Sequence, residues 1–100
     1  MILQKEKVLY YLRARKSDFV HNYGITKLGL FGSYARDEQA EDSDIDLLVE
    51  FAPGTESLFE KKSKIREAVQ AEFQREVDLC REKYIKPYFR EQILNSVIYV

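Results

Sequence analysis

Two aspartates with one residue between them, Asp44 and Asp46, follow a Gly32-Ser33 pair after a gap of ten residues. Gly32 and Ser33 close an apolar run, Leu28 to Phe31. There a glycine lets the backbone turn sharply, and a hydroxyl can cap a following helix or bond a phosphate oxygen. A helix starting at that turn aims free N–H groups at an anion. The segment Asp44 to Phe51 alternates, with Ile45, Leu47, Val49 and Phe51 against Asp46, Leu48 and Glu50, and is predicted to be a strand. Strand period places both carboxylates on one face, roughly 6–7 Å apart along the chain at about 3.3 Å per residue. A phosphate cradle opposite two carboxylates describes a divalent-cation site for nucleotide chemistry. Asp is disfavoured inside strands, so two of them ahead of Leu47-Leu48-Val49 require a compensating role.

Asp78 is the third acid. It stands between Val77 and Leu79, so it faces away from two apolar neighbours that enter a core. Two-metal phosphoryl or nucleotidyl transfer needs ligands for both ions and a carboxylate near the attacking hydroxyl, and a neighbouring strand can supply one. Asp44, Asp46 and Asp78 are therefore the candidate metal ligands and catalytic acids, with Gly32, Ser33 and Arg36 as candidate nucleotide-binding residues. The plainer alternatives are a helix-capping Ser33, a surface Arg36 paired with Asp37 or Glu38, and an ordinary polar Asp78 on an edge strand. A calcium loop over Asp42 to Asp46 is excluded, because Leu47 replaces the required glycine and Pro53 stands where the bidentate glutamate belongs.

The elements that must position these residues follow from period and punctuation. Leu9, Leu12, Phe19 and Tyr23 share a helical face over about residues 2–23, and Gly24 ends that helix. Thr26 to Phe31 is predicted as a strand and Tyr34 to about Gln39 as a short helix. The acidic strand covers Asp44 to Phe51, with Pro53-Gly54 as its turn. Ser57 with Glu60 reads as a capping box for a helix reaching about Gln74, with Leu58, Ile65, Val69 and Phe73 on one face. Glu76 to Cys80 is a third strand. Pro87 opens a closing helix in which Phe89 and Ile93 share a face, and Val97 to Val100 adds a terminal strand. Tyr84 to Phe89 reads either as a partner-docking surface or as core, and Ile85 and Phe89 are expected in the core. His21 is expected at the surface.

One hundred residues, 45% apolar and 33% charged, suit one soluble domain of α/β order spanning 1–100. A net charge of −1 gives no global attraction to nucleic acid or anionic membrane, so no direct nucleic-acid partner is expected. Cys80 is the only cysteine, which fits a reducing cytoplasm. No apolar run approaches the ~20 residues that span a bilayer, so no membrane is expected.

These residues resemble the minimal nucleotidyltransferase (MNT) domain of the DNA-polymerase-beta-like superfamily. Gly32-Ser33, Ala35-Arg36, Ala40, Ser43 to Leu47 and Val49 are similar to its signature, and Val77-Asp78-Leu79 to the strand carrying its third acid. Lys86-Pro87 and Val97-Ile98-Tyr99 are similar to its tail. The sequence departs from it at Asp37, where many members have glycine. The resemblance implies a small nucleotidyltransferase fold with a mixed sheet flanked by helices, using Mg²⁺ and a nucleoside triphosphate, most often ATP. It further implies an antitoxin that binds a HEPN-domain ribonuclease toxin as a hetero-oligomer and silences it by transferring AMP to a tyrosine. The alternatives are a non-catalytic antitoxin that acts by binding, and adenylylation of a small drug, as in related aminoglycoside enzymes that carry a further substrate domain.

Overall fold

The computed structural model describes residues 2–100. Its elements run α1 (Lys5–Tyr23), β1 (Ile25–Phe31), α2 (Gly32–Ala35), β2 (Ile45–Phe51), α3 (Leu58–Phe73), β3 (Val77–Cys80), a 3₁₀ turn (Glu82–Tyr84), α4 (Pro87–Ser96) and β4 (Ile98–Tyr99). The four strands form one mixed sheet in the order β3-β2-β1-β4. β1 pairs antiparallel with β2 and β4, and β2 pairs parallel with β3 through the α3 crossover. This is a small mixed sheet flanked by helices, the expected architecture.

One face of the sheet makes the core. Ile45, Leu47, Val49 and Phe51 of β2 join Leu28 and Leu30 of β1, Val77 and Leu79 of β3, Val8, Leu9, Leu12 and Phe19 of α1, and Ile65 and Val69 of α3. Burying each large aliphatic or aromatic side chain contributes about 1.5–3 kcal/mol, so this layer dominates stability. The alternation read in β2 therefore identified the core face. Leu48, on the opposite face, is nevertheless fully buried, and Ile85 beyond β3 is buried too. The 3₁₀ turn packs against β2 on this side, giving a second, smaller covered region that alternation alone cannot reveal. Gly29 lies on the same face, where a Cβ would stand 2.7 Å from Val97 Cγ1. Its missing side chain lets the C-terminal segment lie close to β1.

Several boundaries differ from expectation, each for a local reason. α1 begins at Lys5 and also buries Val8. α2 spans only Gly32–Ala35 and not Tyr34 to Gln39, because Asp37 adopts a left-handed conformation (φ 57°) that ends helical geometry. β2 and β3 begin at Ile45 and Val77, and β4 is limited to Ile98–Tyr99. Ser57 is also left-handed and makes no side-chain capping bond, so the capping box with Glu60 does not form. Pro87 opens α4 as read from the sequence. Phe89, expected in the core, is 47% exposed, and no residue of α4 is fully buried.

Candidate active site

The site is assembled at the edge of the sheet where β1 ends and β2 and β3 begin. Phe31 pairs with Asp46 across β1 and β2, and Asp46 pairs with Asp78 across β2 and β3. Because side chains alternate along strands, residues in direct register share a face. Asp46 and Asp78 thus project side by side on the face away from the α1/α3 core. Asp78 is exposed while Val77 and Leu79 are buried, as its position predicted. Asp44 is exposed in the loop just before β2, so the strand does not itself set the Asp44–Asp46 spacing expected from period two.

Gly32 opens α2 directly beside these acids. Its φ is +74°, a conformation that L side chains rarely adopt, and a Cβ there would collide with Asp46 Oδ2 and lie 3.0 Å from Asp46 Cγ. Both the turn and the close approach of the carboxylate to the backbone require glycine. Ser33 lies within α2 and is not its cap, since Phe31 occupies the capping position. Tyr34, between Ser33 and Ala35, is fully buried, and its hydroxyl has no hydrogen-bond partner among the described residues. Arg36 donates from Nε to Glu38 Oε1 at 3.0 Å, so the surface pairing weighed for it is realised. Asp37 pairs with Lys5 at 2.9 Å, and Gln39 donates to the Leu3 carbonyl at 2.9 Å. These two contacts tie the loop after the cradle to the start of the chain. Lys5 and Gln39 carried no signal in the sequence, because their partners lie more than thirty positions away.

Electrostatics concentrate on Asp46. Burial pushes its pKa up from 3.8 to about 6, the nearby Asp78 and Asp44 carboxylates add to the rise, and Arg36 opposes it. Among the described residues no lysine, arginine or histidine forms a salt bridge with Asp44, Asp46 or Asp78. Three uncompensated carboxylates are a hard-oxygen donor set suited to a cation such as Mg²⁺. No three such side chains among the described residues converge closely enough to enclose an ion unaided. Such a set fits an ion that keeps waters and takes further oxygens from a bound phosphate. Next to Asp44 an open polar cleft of about 620 Å³ is lined by Glu41, Asp42, Gln70, Gln74, Arg75 and Glu76. Of the three acids only Asp44 borders it. Cys80, two positions after Asp78, is half-buried, and burial raises its thiol pKa.

Residues 11–100 match the model of the nucleotidyltransferase domain family. The chain belongs to this family. Protein adenylyltransferase MntA of Thermococcus cleftensis is 33% identical over 99 residues, covering 99% of this chain and 98% of that protein. A Methanocaldococcus jannaschii protein provisionally named protein adenylyltransferase MJ1379 is 38% identical over 90 residues, covering 89% and 90%. Among solved structures, one provisionally described as a minimal nucleotidyltransferase superposes with a TM-score of 0.71 at 32% identity, over 96% of this chain and 95% of that one. A toxin–antitoxin structure with AMP-PNP shares the fold at a TM-score of 0.64 and 18% identity, over 86% and 69%. No helix among the described residues is long and apolar enough to cross a membrane.

Proposed function

We propose that this chain is a cytoplasmic antitoxin that transfers AMP from ATP to a tyrosine of a HEPN-domain ribonuclease toxin and thereby neutralises it. The observation that carries the reading is the direct strand register of Asp46 with Asp78, beside a glycine whose missing Cβ leaves room for the Asp46 carboxylate. Asp46, Asp78 and the start of α2 lie together at this end of the sheet, with Asp44 in the loop just before β2. The names of full-length relatives as protein adenylyltransferases support a protein acceptor.

In this reading Gly32 and Ser33 hold the triphosphate at the start of α2. Arg36 exchanges Glu38 for phosphate oxygens. Asp44, Asp46 and Asp78 hold Mg²⁺, which when bound neutralises charge on the α-phosphate and the leaving pyrophosphate. Asp78, the most open of the strand acids, accepts the phenolic proton as the tyrosine oxygen bonds to the α-phosphorus. The bond from that phosphorus to the bridging oxygen breaks, and pyrophosphate departs in line. A partner held against the sheet supplies the hydroxyl at high effective concentration, worth ~7–11 kcal/mol of barrier when the reacting atoms are aligned. The attached AMP adds a bulky anion that repels RNA from a nuclease groove.

Incubating the purified pair with α-labelled ATP and Mg²⁺ tests the proposal. Label is expected on the toxin, and none on a toxin whose acceptor tyrosine is replaced by phenylalanine. Label on neither protein would leave an antitoxin that acts by binding alone.

A further inference from the structure

The C-terminal part of the chain presents aromatic rings to solvent. Tyr84 is 66% exposed, Tyr88 88%, Phe89 47% and Tyr99 44%. They are not scattered, since the 3₁₀ turn and α4 carry three of them within six residues. Tyr88 and Phe89 meet edge-to-face at 5.0 Å, which rigidifies the pair. A contiguous exposed aromatic face rimmed by charge marks an interaction surface, and tyrosine is among the residues that dominate binding energy. α4 packs beside α2, the helix that opens at Gly32. Tyr99 reaches Gly29, which shares a sheet face with Asp46 and Asp78. Through α4, the exposed rings are joined to the helix that opens beside the candidate active site.

Charge selects the occupant. Arg81 is paired with Glu50 and Arg90 with Glu82, whereas Lys83 and Lys86 make no salt bridge among the described residues. Lys83 sits 5.2 Å from the Tyr84 ring centroid, so the unneutralised charge lies within the aromatic face. A second copy docked by a two-fold axis through this face would set Lys83 and Lys86 against themselves. A polynucleotide would gain only two free lysines and meet three uncompensated acids at the adjoining site. A protein surface with apolar pockets and an acidic rim fits both features.

We propose that this aromatic face docks the acceptor protein through such a surface, placing its hydroxyl over Asp46 and Asp78. The inference rests on the adenylyltransferase reading above. The test measures dissociation constants between this chain and a purified candidate HEPN-domain acceptor protein, for the wild type and for Tyr88→Ala, Tyr84→Ala and the control Tyr10→Ala. Tyr10 is 76% exposed but lies on α1, away from the face. Tyr88→Ala is expected to weaken binding by at least ~30-fold and Tyr10→Ala by less than about twofold. A K83E/K86E double substitution should weaken it further and flatten its salt dependence. Tight wild-type binding unchanged by Tyr88→Ala would overturn the docking face and leave the function intact. Absence of wild-type binding would overturn both. A photo-crosslinker at position 88 that joins a second copy or RNA, and not the partner, would also overturn the docking proposal.

Discussion

Replacing Asp46 by asparagine should abolish transfer and, at the same time, make the nucleotide-free fold more stable at neutral pH. The folded-state pKa of Asp46 is raised from 3.8 to about 6 by burial and by Asp78 and Asp44. Between those values the folded protein binds more protons than the unfolded chain, so stability falls as pH rises through the window. The penalty is absent below about pH 4 and complete above about pH 6. Unscreened, the rise would correspond to ~3 kcal/mol at ~1.4 kcal/mol per pH unit. Asp46 is only half-buried, and solvent screening reduces the expected penalty to ~1 kcal/mol. Asparagine is neutral and isosteric, so D46N should exceed the wild type by that amount at pH 8, roughly 4–8 °C in Tm for a domain of this size. At pH 4 the two should coincide. Urea unfolding of both proteins in chelator-containing buffer at the two pH values gives the comparison, with the other titrating groups cancelling. Adding Mg²⁺ and a non-hydrolysable ATP analogue should stabilise the wild type selectively, since ligand binds only the folded state. A variant less stable than the wild type at pH 8, or an equal difference at both pH values, would refute the electrostatic reasoning.

Gly32→Ala should destabilise the fold by ~1–2 kcal/mol through its positive φ and should displace the Asp46 carboxylate, weakening nucleotide binding; thermal melting and calorimetric titration measure the two effects. Tyr34→Phe removes a buried hydroxyl that has no partner among the described residues and should raise stability by ~1 kcal/mol in a thermal melt. Asp78→Asn should slow transfer by ~10²–10⁴-fold with nearly unchanged nucleotide affinity, as expected for a group acting on the proton in the transition state. Single-turnover kinetics beside equilibrium titration separates the two.

The directions in which Asp46 and Asp78 point were legible because strand alternation is a strong local signal. Ile45, Leu47, Val49 and Phe51 announced the core face of β2, and Asp78 between Val77 and Leu79 announced its outward direction. The pairing of Asp46 with Asp78 was not legible, since register depends on how α3 crosses over, and no local residue encodes it. Leu48 alternates with the acids, and pattern cannot show that the 3₁₀ turn covers its part of that face. Asp37 is instructive: the glycine common at that position in the resembling family suits a left-handed residue, and Asp37 holds that conformation with Lys5 as partner. The short α2 follows from that one dihedral angle. Phe89 was assigned to the core, but α4 packs beside the four-residue helix α2, which offers too little surface to bury its rings.

The central claim is that the acids act in covalent transfer and not in binding alone. Its most direct test is the intact mass of a candidate toxin partner after co-expression with the wild type or with D44N/D46N. The account predicts a toxin heavier by AMP and inactive as a ribonuclease with the wild type, and an unmodified, active toxin with the variant. Equal neutralisation by both, with no AMP on the toxin in either case, would contradict it.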